Sequence, residues 1–341
     1  MSAPSTSVVV CTYNRIQWLT KCLRSLEAQD PRPDEIIVVD GPSTDGTRDM
    51  LELLASKGDL KLVHQKKLDG ISSARNMGLA EATGDIVCFI DDDAIAQPGW
   101  LANVISGYTD PLVGGVGGPV CFSDGSPAMG RNAVSPEGLW FDESRRESID
   151  GLYPVMVGCN MSFRRVPLQE MGGFDPYFRF HQDETDACLG MLFRGYRIGY
   201  SEGAVVWHEW CEGSYRQDRI RWYIKLRYLW GRNNSYLVRK HFGDKVPFTK
   251  YAGNRMTGFL QKRVPRGILE KETTGGHEAS GGSVAMPKFF VLVGGVSEVF
   301  GLIKGWTDSG HVSPRAPGGA ASHRLVGPDQ HFRYRRRGLR K

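Results

Sequence analysis

Over the first ninety residues, short apolar runs alternate with stretches whose apolar positions recur at helical spacing. Residues 7–11, 35–39, 60–63 and 85–90 are rich in Val, Ile, Leu and Phe and are bounded by Gly, Pro or Asp, the pattern of buried strands. Between them, 16–28 carries apolar side chains at 16, 19, 23 and 26, and 47–55 and 72–81 also read as helices. This alternation predicts βαβ units and a mainly parallel sheet flanked by helices, an α/β fold. After residue 110 the pattern changes. Gly114, Gly115, Gly117, Gly118 and Pro119 predict an irregular β region, and 120–153 predicts a long loop or insertion. Residues 215–242, aromatic and basic, predict a long helix.

The expected division is a catalytic unit over 1–214, made of a nucleotide-binding half (1–110) and an acceptor-side half (111–214). A helical extension over 215–305 follows, with a flexible Gly-rich loop at 273–283, and then a disordered basic tail over 306–341. The apolar stretch 289–303 is interrupted by Gly294, Gly295, Glu298 and Gly301 and is too short for a membrane span of ~20 residues. A buried helix or one lying on a membrane surface is expected there.

Composition narrows the class. Hydrophobic residues make up 40% of the 341 and charged residues 24%, as in a soluble globular protein. A net charge of +5 does not call for nucleic acid, although the last nine residues hold six Arg or Lys. The seven cysteines form no CxxC pair and several lie inside apolar runs, so reduced thiols and a cytoplasmic location are expected. Residues 1–7 lack the basic and apolar regions of a secretory signal.

The chemistry gathers at strand ends. Asp91-Asp92-Asp93 follows the fourth strand directly. Carboxylates so placed repel one another unless a divalent cation or another positive group compensates. Ligands of open α/β sheets bind outside the carboxyl ends of the strands, where Thr12-Tyr13-Asn14-Arg15 and Asp40 also fall. Tyr13 offers an aromatic face for a base, and Asp40 offers an acceptor for a base N–H or a ribose hydroxyl. Arg75 suits a phosphate or a base carbonyl. Neither GxGxxG nor GxxxxGK[ST] is present, which counts against a dinucleotide-dependent dehydrogenase and a P-loop enzyme. Asp183, Glu184 and Asp186 exceed what a helix N-terminus needs, and a carboxylate there is a candidate general base. His208 is a candidate addition to an oxygen-rich metal shell, and an imidazole shifts preference from magnesium toward manganese.

Taken in order, these segments resemble family 2 glycosyltransferases. The resemblance rests on Val8-Val9-Val10-Cys11-Thr12-Tyr13-Asn14-Arg15, Val38-Val39-Asp40-Gly41-Pro42-Ser43-Thr44-Asp45-Gly46-Thr47, Ala74-Arg75-Asn76-Met77-Gly78-Leu79 and Phe89-Ile90-Asp91-Asp92-Asp93. It continues through Gly158-Cys159-Asn160, Gly172-Gly173-Phe174-Asp175, Asp183-Glu184 and Val206-Trp207-His208, and spans about residues 6–242. It implies the GT-A fold and inverting transfer of a sugar from a UDP-, GDP- or dTDP-linked donor to a glycan, lipid-linked or small-molecule acceptor. It also implies Mn2+ or Mg2+ as cofactor.

By the same resemblance, Thr12, Tyr13, Arg15, Asp40, Arg75, Asp91 and Asp92 hold the nucleotide sugar, while Asp91, Asp93 and His208 hold the metal. Gly158 and Asn160 shape the acceptor side. The base falls on Glu184 or Asp183, because the family's order of acids is altered here. A nucleotidyltransferase would want an early Gly-rich phosphate loop, which Thr12 to Arg15 lacks. A non-catalytic nucleotide-sugar binding module would not need the acids. Processive synthases carry QxxRW, whereas Gln217 to Trp222 has one residue too many, so single addition is expected. Peripheral contact with the inner face of a membrane is a further expectation.

Overall fold

A computed structural model describes residues 3–142, 151–209, 219–243, 246–249, 251–252 and 288–309. The four apolar runs are strands β1 (Thr6–Thr12), β2 (Glu35–Asp40), β3 (Lys61–His64) and β4 (Ile86–Asp91). Helices α1 (Ile16–Glu27), α2 (Thr47–Ser56) and α3 (Ile71–Glu81) connect them. There follow β5 (Ala94–Ala96), α4 (Trp100–Ser106), β6 (Val113–Gly117), β7 (Val120–Cys121), β8 (Pro127–Met129), β9 (Asn132–Val134) and β10 (Trp140–Asp142). The chain continues through β11 (Tyr153–Val155), β12 (Asn160–Arg164), α5 (Arg165–Glu170), α6 (Asp183–Leu192), β13 (Arg197–Tyr200) and β14 (Val206–His208). It ends in α7 (Arg219–Phe242) and α8 (Lys288–Asp308).

The central sheet has seven strands in the order β13-β6-β12-β4-β1-β2-β3. Only β12 runs against the others, between β4 and β6. Both faces are covered, so the middle of the central strands, Val8 to Val10 and Ile86 to Ile90, is apolar without alternation. Val9 faces the core shared with α3, α6 and α7, whereas Val8 and Val10 face the core shared with α1 and α4.

The expectation of a loop or insertion over 120–153 is corrected. Its described part forms β7 to β10, in an antiparallel sheet of order β10-β9-β11 and a mixed one of order β5-β14-β7-β8, where β14 and β7 run parallel. Strands of two or three residues are too short for alternation to show in sequence. The long helix is present as α7, beginning at Arg219. Residues 215–218 and the Gly-rich loop 273–283 lie outside the described residues, as does the tail expected over 306–341 from 310 on; its start is corrected, since 306–308 belong to α8. The expected boundary at 214 crosses a shared core, since Tyr236, Leu237, Val238 and Phe242 of α7 are buried with Phe174, Phe178 and Leu189.

One ionic cluster joins α7 to α6. Asp186 accepts from Lys240 Nζ at 2.9 Å and lies 2.7 Å from His241 Nε2, and Lys240 also reaches Asp175 at 2.7 Å. Burial opposes ionisation of Asp186, but Lys240 and His241 outweigh it and hold its pKa down to about 2. A carboxyl lowered in the folded state adds stability above its ordinary value of 3.8 and loses it as pH falls toward about 2. Asp186→Asn should cost about 2 kcal/mol at neutral pH. Its urea midpoint should also fall less steeply than that of the wild type between those two pH values. Equal slopes would show that Asp186 does not carry this acid sensitivity.

Candidate active site

The parallel strands end at one edge, and their register brings the acids together: Thr12 lies opposite Asp40 and Cys11 opposite Asp91. Asp92 and Asp93 form a turn between β4 and β5. β14 pairs with β5, setting His208 beside Ala94, and the Glu209 N–H donates to the Asp93 carbonyl at 3.0 Å. The turn aims Asp91 and Asp93 at the same imidazole. His208 Nε2 lies 3.6 Å from Asp91 Oδ2 and 3.2 Å from Asp93 Oδ1.

Asp92 points the other way. Its Oδ2 accepts from Thr12 Oγ1 at 2.7 Å, and its Oδ1 accepts from Arg15 Nη1 at 3.0 Å. Arg15 also donates to Asp93 Oδ2 at 2.8 Å. Asp92 is buried, and within the site it fixes the segment after β1. Burial raises its pKa to about 7, with Arg15 opposing and Asp93 adding. Burial likewise works against ionisation of Asp93, yet His208 and Arg15 hold it at about 2. For His208, burial disfavours the charged form, and Asp91 and Asp93 overcome it to lift the pKa to about 9.

Arg75 links the two halves of the site. It is 5% exposed and pairs through Nη1 with Asp183, while Nη2 donates to Asp91 Oδ1 at 3.3 Å and to the Gly158 carbonyl at 2.9 Å. A guanidinium engaged with two carboxylates and a carbonyl is turned inward. That placement ties the strand edge to α6. A Cβ at Gly158 would stand 3.2 Å from Arg75 Nη2 and 3.7 Å from Glu184 Oε2. Glycine therefore leaves room beside the carboxylate. Burial, and then the Asp183 charge, push the Glu184 pKa well above its ordinary value.

Asp40 is fully buried and accepts from Arg48 Nε at 3.0 Å. Its Oδ1 has no hydrogen-bond partner. A Cβ at the adjoining Gly41 would touch Tyr13 at 3.1 Å, so the ring lies beside the end of β2. Asn160 is 1% exposed and spends its side chain internally. It accepts from Trp100 Nε1 at 2.9 Å and donates to the Pro119 and Ala204 carbonyls at 3.0 and 2.8 Å. It therefore fixes the backbone around β12 and does not present a group to a ligand.

Sequence reasoning missed three contributors. Arg48, which donates to Asp40, falls just past the segment Val38 to Thr47 and carries no signal of its own. Cys159 offers a sulfur that lies, with one ligand atom each of Asp91 and His208, in a group within 4.8 Å of one another. The third is the pair Asn233 and Asn234 in α7. His181 and Gln182, which lead into α6, have φ of 62° and 73°, in the left-handed region that disfavours side chains. Asn233 Nδ2 donates to the Phe180 carbonyl at 2.6 Å and to the His181 carbonyl at 3.1 Å, and Gln182 Nε2 donates to Asn234 Oδ1 at 2.8 Å. These bonds hold the strained approach to Asp183 and Glu184. Asn-Asn within a helix is a poor helix former, and that was the available signal.

The donors at the strand edge suit a hard or borderline divalent cation: two carboxylates and an imidazole converge, and the thiol of Cys159 lies with Asp91 and His208. A GT-A type sheet with such an edge defines the class, and comparison with known proteins gives the family. Residues 7–172 match the model of Glycosyl transferase family 2. The glucosyl-dolichyl phosphate glucuronosyltransferase of Haloferax volcanii is 31% identical over 242 residues, covering 66% of this chain and 74% of that one. The chain belongs to glycosyl transferase family 2. The pre-mycofactocin glycosyltransferase of Mycobacterium tuberculosis is 26% identical over 266 residues, covering 74% of this chain. The chain spans about half the length of that relative, 52%. Among solved structures, the mannosyltransferase PcManGT of Pyrobaculum calidifontis, in complex with GDP-Man and Mn2+, shares the fold. Its TM-score is 0.53 at 21% identity, over 90% of this chain and 88% of that one.

Proposed function

We propose that this chain transfers one sugar from a nucleoside diphosphate sugar to a hydroxyl of a glycan, lipid-linked or small-molecule acceptor, with inversion at the anomeric carbon. One observation carries the reading. Glu184 and the cluster Asp91, Asp93 and His208 stand on two sides of Arg75, which contacts both Asp91 and Asp183. Family membership and the manganese and GDP-mannose of the Pyrobaculum mannosyltransferase support it.

Asp91, Asp93 and His208 would hold Mn2+ or Mg2+, which when bound neutralises the diphosphate leaving group. The unpartnered Asp40 Oδ1 would accept from a base N–H beside the Tyr13 ring. Asp92 would act through Thr12 and Arg15, keeping the segment after β1 in place for the nucleotide. Glu184 would take the proton of the acceptor hydroxyl as it attacks the face opposite the diphosphate. Asp183, paired with Arg75, would position Glu184 and set its basicity.

The test is a nucleotide-release screen with UDP-, GDP- and dTDP-sugars, with manganese or magnesium. At least one donor should turn over. Asp93→Ala should lower turnover at least about a hundredfold and weaken cation binding measured by calorimetry. Nucleotide-sugar binding with no turnover on any donor or acceptor would sink the proposal in favour of a binding module.

A further inference from the structure

α8 presents the wrong face to water. It runs parallel to α7: Ser297 Oγ donates to the Ile224 carbonyl at 3.0 Å, Glu298 pairs with Arg227, and Gly301 and Gly305 lie against the Tyr228 and Arg232 carbonyls. A Cβ at either glycine would collide with those oxygens, so the two backbones approach closely. Among the described side chains, the side turned to α7 is small or polar around Gly301 and Gly305, with Leu302 and Trp306 as its large apolar members. The other side exposes Val296 (49%), Val299 (38%), Phe300 (64%) and Ile303 (49%). Their spacing of three, four and seven puts them on one stripe. A helix that needed only water on that side would carry polar residues there, and a contiguous apolar stripe marks an interaction surface.

Charge decides the occupant. α7 carries no acidic residue, and while its Arg227, Arg232, Arg239 and Lys240 are engaged with Glu298, the Tyr177 and Trp306 carbonyls, Asp175 and Asp186, two of its cations are turned to solvent. The Ser297 bond to Ile224 sets Arg221 and Lys225, both exposed, at the level of the amino-terminal part of the stripe. Trp222 and Tyr223, half-buried, lie between them. Lys304, exposed one turn beyond Phe300, adds a cation that also pairs with Asp308 on its own helix. A second copy docking symmetrically on this face would set the same cations against one another. A layer of anionic headgroups over an apolar interior matches both the cations and the stripe, and Trp and Tyr are at home at that boundary. Among the described residues no helix is long and apolar enough to cross a membrane.

We propose that the exposed stripe of α8, flanked by Arg221, Lys225 and Lys304, docks on the surface of an anionic lipid bilayer. Val296, Val299, Phe300 and Ile303 enter the headgroup boundary, and the cations stay at the phosphates. The inference stands apart from the sugar-transfer reading, because vesicle binding is measured without donor or acceptor.

The test is co-sedimentation of the full chain with vesicles of phosphatidylcholine, with and without phosphatidylglycerol. Binding should need phosphatidylglycerol and weaken with salt. Phe300→Asp should reduce the partition coefficient at least about tenfold, since a large apolar side chain is withdrawn from the boundary. Lys225→Glu should reduce it at least about fivefold. Both side chains are exposed, so both variants should keep the wild-type thermal midpoint. Absence of vesicle binding by the wild-type chain would overturn the proposal. So would undiminished binding by Phe300→Asp together with loss of binding on deletion of 310–341, which would assign the contact to the tail. A wild-type dimer that Phe300→Asp converts to monomer, with no vesicle binding, would overturn it in favour of a second copy.

Discussion

Glu184→Gln should lower sugar transfer about a thousandfold while leaving cation and donor affinity within a few-fold of wild type, as expected when a general base is removed and binding groups remain. The choice of Glu184 over Asp183 comes from their partners. Asp183 is almost fully buried, and its carboxylate pairs with Arg75, so taking up a proton would break a buried ion pair. Glu184 stands beside Gly158, where no side chain intervenes. Burial and Asp183 raise its pKa, which makes it the stronger base once ionised. A base must be ionised to act, so the wild-type rate should climb with pH through the raised value. Glu184→Gln should lose that limb. Asp183→Asn removes the neighbouring charge and should move the limb to lower pH. Near-normal transfer by Glu184→Gln in a steady-state nucleotide-release assay would hand the role to Asp183.

Arg75→Met should destabilise the fold by about 3–5 kcal/mol, the range seen when one partner of a buried ion pair is removed. The residue faces Asp183, Asp91 and the Gly158 carbonyl, and burial opposes its charge while those carboxylates hold the pKa above its ordinary value. Without the guanidinium, Asp183 is left as a buried charge with no cation. Adding Asp183→Asn should restore about 1–3 kcal/mol, the coupling expected of two residues in contact. Urea melts of the wild type, both single variants and the double variant close the cycle. A stable Arg75→Met, or additive losses in the double variant, would show that the pair does not hold α6 to the strand edge.

The site was legible wherever it sat at the end of a regular element. Thr12, Asp40 and Asp91 close strands that the apolar pattern marks, and parallel strands must end at one edge. Asp183 and Glu184 stood out because three acids crowd one helical turn, yet the turn divides them among different tasks. Asp183 meets Arg75, Glu184 stands by Gly158, and Asp186 meets Lys240 and His241. Spacing cannot separate those tasks, because each depends on a residue from a distant element. Asn160 shows the same limit in reverse. It sits among the motif residues, but Trp100, Pro119 and Ala204 consume its side chain.

By itself the sequence determined the first four strands, their shared carboxyl edge and the family, because these follow from local periodicity and from residues fixed at strand ends. Tertiary structure decided which charge answers which. The turn at Asp92 and Asp93 splits the triplet, sending Asp91 and Asp93 to His208 and Asp92 to Thr12 and Arg15. It also set α7 on the strained residues before α6 and left the apolar side of α8 outward. Such pairings join residues tens to more than a hundred positions apart, where no local pattern carries information and only packing brings the groups within reach.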